Sequence, residues 1–180
     1  MKKVLIILGE LADSDIEWLM RNGRKRKISR GTVLVTEGKQ IESLYIVLEG
    51  MFSITVKALK NREVARIGVG EVLGEMSCID SRPPSATVTS VTDSVVLDIT
   101  RSDLMKSLKS DLPFAARFYR AMAVFLSDRL RGTMNRFGYG EDEPLDEDKE
   151  YEDELDSGVL DNVALAGARF EGILHRLRGN

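Results

Sequence analysis

Residues 74–88, GEMSCIDSRPPSATV, join an acidic turn to the start of a strand. Gly74 permits a tight backbone turn that other residues disfavour, and Glu75 places a carboxylate beside that turn. The segment that follows predicts one helical turn, whose free N–H groups suit an anion. Ser85 then offers a hydroxyl and a backbone N–H where the next strand begins. Such a segment can bind a sugar hydroxyl through the carboxylate and a phosphate through the N–H donors.

This stretch, hereafter the cassette, resembles the phosphate-binding cassette of the cyclic nucleotide-binding domain family. The family pattern opens with Gly-Glu, continues through a small or apolar run, and closes with Pro-Arg-(Ser/Thr/Ala)-Ala-x-Val. Six residues match it: Gly74, Glu75, Pro83, Ser85, Ala86 and Val88. The family's phosphate-pairing arginine falls on Pro84, and an arginine occurs two residues earlier, at Arg82.

The resemblance continues on both sides of the cassette. The matching stretches with their glycine turns are GTVLVTEG (31–38), SLYIVLEG (43–50) and VGEVLGE (69–75). Together with the long helix that follows, they cover about residues 11–135. The resemblance implies a mainly β fold with flanking helices. That fold is a jelly-roll barrel of the cyclic nucleotide-binding type, with an N-terminal helix and C-terminal helices.

Short strands are also predicted from the residues themselves. The strand patterns cover 44–49, 52–57, 64–67, 87–91 and 94–99. Glycines and the turn candidate Lys60-Asn61-Arg62 separate them. Such spacing is typical of an all-β barrel or jelly roll.

Before the barrel, the sequence predicts a short helix and a basic connector. Ser14-Asp15-Ile16-Glu17 reads as a capping box with Ser14 at the N-cap, and Asn22-Gly23 ends the helix. The basic run Arg24–Lys27 follows. It has two interpretations: a solvated connector, or a surface for an acidic partner. The nearest acidic partner is the chain's own stretch 141–156, hereafter the acidic segment.

After the barrel, the pattern changes to a helical period. Thr100–Asp103 resembles a second capping box, and Pro113 suits the first turn of a helix from about Leu112 to Arg136. One apolar stripe is predicted on that helix: Phe114, Phe118, Met122, Phe125, Leu126 and Leu130. In the family this helix often packs against its copy or moves over bound nucleotide, which implies a homodimer through 112–136. Docking on its own barrel alone is the other interpretation.

Three parts are predicted along the chain: a cyclic nucleotide-binding-like domain at 1–140, the acidic segment as a linker, and a C-terminal amphipathic helix at 157–180. The acidic segment carries eleven acids and one lysine, a charge of −10, and cannot bury enough surface to order itself. Ser157 is expected to cap the last helix. Its apolar side chains are expected to pack on the barrel or the long helix of the same or a partner subunit: Leu160, Val163, Phe170, Ile173, Leu174 and Leu177.

Charge and composition argue against several classes of protein. The net charge of −3, with −10 in the acidic segment and +1 after it, leaves +6 on the body, short of the dense basic face of a nucleic-acid-binding domain. About forty residues follow the long helix, too few for a helix-turn-helix DNA reader. No apolar run approaches a membrane span or a signal peptide. A single cysteine, Cys78, fits a reducing cytoplasm and reads as a small core residue.

Catalysis finds no support in the sequence. One histidine, His175, and one cysteine do not make an ordinary metal site. Neither a phosphate-binding P-loop nor a nucleophile elbow occurs. The chain is therefore predicted to be no enzyme and to need no cofactor.

The resemblance implies a nucleotide site in the cassette. Its residues are Gly74, Glu75, Met76, Arg82, Ser85 and Ala86. Glu75 is expected to accept the ribose 2′-OH, while N–H groups near Ser85 and Ala86 face the phosphate. Two residues keep a second interpretation, Glu75 as an acid at a helix N-terminus and Arg82 as the partner of a surface carboxylate.

Two functions therefore remain open. The first is a stand-alone sensor of cAMP or cGMP whose long helix shifts on binding and is read by an unknown protein partner. The alternative is an interaction module that keeps the barrel, has lost the ligand and dimerises or docks through its long helix and tail.

Overall fold

Two antiparallel four-stranded sheets and six helices make up the part of the chain that the computed structural model describes, residues 4–138 and 163–178. The helices are α1 Val4–Glu10, α2 Asp13–Asn22, α3 Glu75–Asp80, α4 Arg101–Ser110, α5 Leu112–Gly138 and α6 Val163–Arg178. The strands are β1 Arg24–Ile28, β2 Val33–Val35, β3 Ser43–Glu49, β4 Phe52–Val56, β5 Arg62–Ile67, β6 Val72–Leu73, β7 Thr87–Ser90 and β8 Ser94–Thr100. Within these ranges no helix is both long and apolar enough to cross a bilayer.

The sheets form the predicted jelly-roll barrel. Sheet I has the order β1-β8-β3-β6, and sheet II has the order β2-β7-β4-β5. Their facing side chains, including Phe52 and Val88, fill one core. The other face of sheet I, with Leu44, Ile46 and Leu97, packs on the helices and makes a second core. Strand β3 is buried on both faces because it separates the two cores.

The N-terminal region differs from its prediction at three points. Ser14 is not the N-cap: α2 begins at Asp13, and the Asp15 carboxylate accepts a hydrogen bond from the Ala12 N–H at 2.8 Å. Arg24–Lys27 is not a connector, since it forms β1 and pairs with β8. The apolar run before Glu10 forms α1, a helix that was not predicted. Its side chains are buried between α5 and α6.

Helix α5 carries two apolar faces rather than the one predicted. Phe114, Phe118, Met122 and Phe125 are buried against the rest of the chain. Leu130, expected on the same stripe, is 62% exposed on the other side of the helix. The predicted start is confirmed, since α5 begins at Leu112 with Pro113 in its first turn. The second capping box is also confirmed, because the Thr100 side chain accepts a hydrogen bond from the Asp103 N–H.

The C-terminal helix α6 packs on α1 of its own chain. Phe170, Ile173 and Leu174 enter the helical core, as their spacing predicts. Arg169 secures the contact: its Nη1 donates to the carbonyls of Leu8 and Leu11, each at 2.7 Å. The docking surface is therefore an element that the sequence analysis had not identified. The predicted boundaries at 140/141 and 156/157, the linker, Leu160 and the Ser157 cap lie outside the described residues.

A buried ion pair ties α2 to α5 and makes folding sensitive to acid. Burial raises the pKa of Asp15, but the two hydrogen bonds and the charge of Arg117, at 2.6 and 2.8 Å, together with the Ala12 N–H, hold it below the ordinary value of 3.8. A lowered folded-state pKa stabilises the protein above the unfolded-state value and loses its effect as pH falls through the folded-state value.

We therefore expect Asp15→Asn to cost about 2 kcal/mol of unfolding free energy near pH 7. That is less than the loss of a fully buried pair, because Arg117 stays partly exposed. The difference from the wild type should shrink as pH falls below about 4. Urea unfolding across pH measures both quantities. Glu17→Gln, at an exposed carboxylate of the same helix, is the matched control and should change neither. A deficit that stays constant down to pH 2 would contradict the role of the Asp15 charge.

Candidate functional site

A cavity of about 790 Å³ lies between the cassette, sheet II and α5. All six site residues predicted from the sequence line it: Gly74, Glu75, Met76, Arg82, Ser85 and Ala86. Apolar side chains of the strands form much of its remaining wall: Val35, Ile54, Val64, Ile67, Leu73 and Val88. Two residues of α5, Arg129 and Gly132, also line it. A volume of this size and a mainly apolar wall with a few polar groups are typical of small-molecule sites.

Gly74 and Glu75 place a carboxylate deep in this cavity. Gly74 adopts φ +83°, and a Cβ there would lie 2.6 Å from the Ser43 carbonyl oxygen, so a glycine is required at this position. The turn starts α3 at Glu75, which is 4% exposed. The predicted helical turn of the cassette is thereby confirmed.

Arg129 neutralises the buried carboxylate, a contact that was not predicted from the sequence. Its Nη1 donates to Glu75 Oε1 at 2.5 Å. Burial raises the pKa of Glu75, while the charge and hydrogen bond of Arg129 oppose that rise. A signal was present in the sequence, since Arg129 follows Phe118, Met122 and Phe125 at helical spacing and thus interrupts a buried apolar face. A cation at such a position indicates an acidic partner on the packed surface.

Arg82 lies at the mouth of the cavity and pairs with a neighbour. Its side chain is 84% exposed, and its Nε is 3.7 Å from Asp80 Oδ2. Its main chain is held more firmly, because the Ser77 hydroxyl donates to its carbonyl at 2.7 Å. The sequence allowed two partners for Arg82, a ligand phosphate or a surface carboxylate. In the structure it contacts the carboxylate of Asp80.

The second half of the cassette forms the rim of the cavity. Pro84 is half-buried, and its carbonyl accepts a hydrogen bond from the Gly38 N–H at 2.9 Å. Ser85 is exposed and Ala86 is half-buried. Met76, in the first turn of α3, is exposed. The structure thus brings the six predicted residues to one cavity, with Glu75 alone among them deeply buried.

Neither Cys78 nor His175 belongs to this lining. Cys78 is buried in the helical core, as predicted, and burial raises the pKa of its thiol to about 11. His175 lies on the exposed side of α6. Across 4–138 and 163–178, no group of three or more His, Cys, Asp or Glu side chains is placed to hold a metal ion.

Comparison with known proteins relates the chain to one domain family. The family model described as "Cyclic nucleotide-binding domain" matches residues 25–111, which include the whole cassette but stop before Arg129. The cGMP-dependent 3',5'-cGMP phosphodiesterase A of Dictyostelium discoideum is 30% identical over 87 residues, which are 48% of this chain and 10% of that protein. The cyclic AMP receptor protein of Thermus thermophilus is 28% identical over 123 residues, which are 67% and 55% of the two chains.

Solved structures agree with the sequence matches. The crystal structure of the Thermus thermophilus catabolite activator protein superposes with a TM-score of 0.62 and 25% identity, and the alignment covers 74% of this chain and 62% of that one. The two curated relatives are longer than the region they share with this chain, which spans 10% of one and 55% of the other. The similarity therefore concerns the barrel and its adjoining helices rather than whole proteins.

Proposed function

Because residues 25–111 belong to the cyclic nucleotide-binding domain family, we propose that the cavity binds cAMP or cGMP and that the protein is a stand-alone regulatory sensor. One observation carries the proposal: the six cassette residues that the family resemblance selects all line one cavity of about 790 Å³. A binding role of this kind requires no catalytic residue and no metal ion.

Glu75 is the proposed ribose contact. Its Oε1 is engaged by Arg129, so a ribose 2′-OH would donate to Oε2. The carboxylate is already desolvated and neutralised by Arg129, so ligand binding does not have to remove Glu75 from water. Its Arg129 partner also connects the ligand to α5.

The phosphate contact is the weaker half of the site. The backbone N–H groups near Ser85 and Ala86 would face the ring phosphate, as the resemblance implies. Arg82 would add a charge after leaving Asp80, and this exchange costs little because exposed ion pairs contribute only about 0–1 kcal/mol. We therefore expect binding that depends on Arg82 and is weaker than in a site with an arginine at residue 84.

Helix α5 is the proposed output element. Arg129 and Gly132 line the cavity, so a ligand that shares the Glu75 carboxylate with Arg129 would change the contact that holds this helix. A ligand shifts such an equilibrium only by its difference in affinity for the two helix positions. The base is expected to sit on the apolar wall, which accepts either purine.

The first test is a calorimetric titration of Glu75→Gln with cAMP and cGMP. Removing the charge weakens the ribose hydrogen bond and the contact between residue 75 and Arg129, and we expect at least about a tenfold loss of affinity. Glu17→Gln is the matched control and should titrate as the wild type does. Binding by Glu75→Gln at wild-type affinity, with the fold intact by circular dichroism, would remove Glu75 from the site.

We also propose that the protein is a homodimer through α5. The support is a second apolar face, hereafter the seam, beside the buried one: Leu112, Ala116, Tyr119, Ala123, Leu126 and Leu130. Five of these residues are exposed and Leu126 is half-buried. Their spacing alternates four and three residues, which is the heptad pattern of helices that pair with a copy of themselves. The seam thus offers a self-complementary surface while the other face stays packed in the chain.

Leu130→Glu should convert the dimer to a monomer. A carboxylate within a heptad seam would be buried against the partner without a counter-charge. Sedimentation velocity measures the change, and we expect the wild type at twice the mass of the chain. Arg131→Glu, an exposed position beside the seam, should remain dimeric. A wild type that sediments as a monomer at all concentrations would rule out the seam as a dimer interface.

A second function stays in view because two features of the site favour it. Pro84 stands where the family has its phosphate-pairing arginine, and Glu75 already has a cationic partner. Both fit an interaction module that keeps the barrel without a nucleotide, and the titration separates the two functions. In either case we place the protein in the cytoplasm and assign neither DNA nor a membrane as its partner.

A further inference from the structure

Four consecutive cations form the edge of sheet I. Strand β1 is the first strand of the order β1-β8-β3-β6, and among the described residues it pairs with β8 alone. Its residues Arg24, Lys25, Arg26 and Lys27 are all exposed. We call this row, residues 24–27, the basic edge. Because β1 is an edge strand, the backbone N–H and C=O groups on its outer side can form hydrogen bonds with another chain segment.

Little of this charge is neutralised within the described residues. Arg26 pairs with Asp98 at 3.3 Å, and Lys25 donates to the carbonyl of Leu177. Arg24 and Lys27 take part in no ion pair among those residues. Because side chains alternate across a strand, Arg24 and Lys27 project from opposite faces, and the basic edge presents positive charge on both.

The chain carries a segment of opposite charge within reach. The acidic segment has a charge of −10 over sixteen residues. The contact of Lys25 with the Leu177 carbonyl places the end of α6 beside β1, and α6 runs back from there for about 21 Å to Val163. Asp156 precedes Val163 by seven residues, which span at most about 25 Å. The acidic segment can therefore return along α6 to the strand.

We propose that the basic edge binds the acidic segment of the same chain. Complementary charge on the two partners and the connection through α6 select this occupant over an unrelated acidic protein. Charges on an edge strand can also serve only to prevent strand pairing between molecules. That role needs no partner. A label on the acidic segment should therefore affect β1 only if the basic edge binds this segment.

A nitroxide label at Tyr151→Cys in the full-length chain tests the proposal by NMR. Cys78 is buried and its thiol pKa is about 11, so it should stay unlabelled at neutral pH. At 0.05 M salt we expect the amide signals of residues 24–28 to lose most of their intensity. They should recover at 1 M salt, where the screening length falls to about 3 Å. Arg24→Glu/Lys27→Glu should abolish the effect.

Lys39→Glu/Arg62→Glu is the matched control, with the same change of charge at exposed positions away from β1. The proposal stands if the label still reduces the amide signals of residues 24–28 in this variant. Unaffected β1 signals would overturn it, and so would an effect seen only between labelled and unlabelled chains in a mixture. Binding of a short single-stranded DNA to the basic edge at 0.15 M salt, with the acidic segment present, would also overturn it in favour of nucleic acid.

Discussion

Pro84→Arg is expected to increase the affinity for cyclic nucleotide by about ten- to a hundredfold. Residue 84 lines the cavity beside Ser85, where an arginine can make the charge-assisted contact with the ring phosphate that proline lacks. Such a contact contributes roughly 1.5–3 kcal/mol, and each 1.4 kcal/mol is a factor of ten. The carbonyl of residue 84 can keep its hydrogen bond from the Gly38 N–H, so the loop should hold its place.

Pro84→Gln is the matched control for that variant. It removes the same ring and adds a polar side chain without a charge, and its titration should resemble that of the wild type. Replacing the proline also frees the unfolded chain, which lowers stability by up to about 1 kcal/mol in both variants. If Pro84→Arg folds normally and its affinity does not rise above that of Pro84→Gln, residue 84 is not at the phosphate.

Phe170→Ala should cause the largest loss of stability, about 3–5 kcal/mol. Phe170 is 1% exposed in the core that α6 shares with α1, and its removal leaves a cavity that this packed region cannot readily close. Helix α6 has 16 residues and contains Gly167 and Gly172, so it depends on this docking rather than on its own propensity. A decrease of about 10 °C or more in the melting temperature is expected for a chain of this length.

Leu165→Ala is the control on the same helix. Leu165 is 47% exposed, so shortening it should change the melting temperature little. Equal, small effects of the two substitutions would show that α6 does not pack on α1 through Phe170. The comparison also bears on the further inference, because the proposed return path of the acidic segment follows α6.

The barrel and the cassette could be predicted because their signals are local. Alternation along strands such as Phe52–Val56 and the glycine at a left-handed turn, Gly74, reflect constraints that each segment imposes on itself. The second capping box, Thr100 with Asp103, is likewise contained in four residues. Such features form regardless of what the segment packs against.

The missed features depend on what lies across the fold. The apolar run of α1 has no polar side, so its period does not distinguish a buried helix from a strand. The basic edge forms a strand because β8 pairs with it, although its composition favours a solvated loop. Leu130 belongs to the seam rather than to the buried face, a distinction that required knowing which side of α5 meets the chain.

In the candidate site, Glu75 is marked by a local sequence signal, whereas the position of Arg129 depends on packing across the fold. Glu75 could be assigned because the cassette carries its own frame of turn, helix and strand. Arg129 lies 54 residues further along the chain and enters the cavity only through the packing of α5. The partner of Arg82 could not be chosen from sequence, because a long exposed side chain can reach either Asp80 or the phosphate of the proposed ligand.

A crystal structure of the protein soaked with cAMP, and a second with cGMP, tests the central claim most directly. We predict density for a nucleotide in the cavity, with the ribose 2′-OH within hydrogen-bond distance of Glu75 and the ring phosphate facing the backbone of Ser85 and Ala86. The Arg82 side chain should have left Asp80 for the phosphate. An empty cavity at millimolar nucleotide, with Glu75 still paired to Arg129, would contradict the account and leave the barrel as an interaction module.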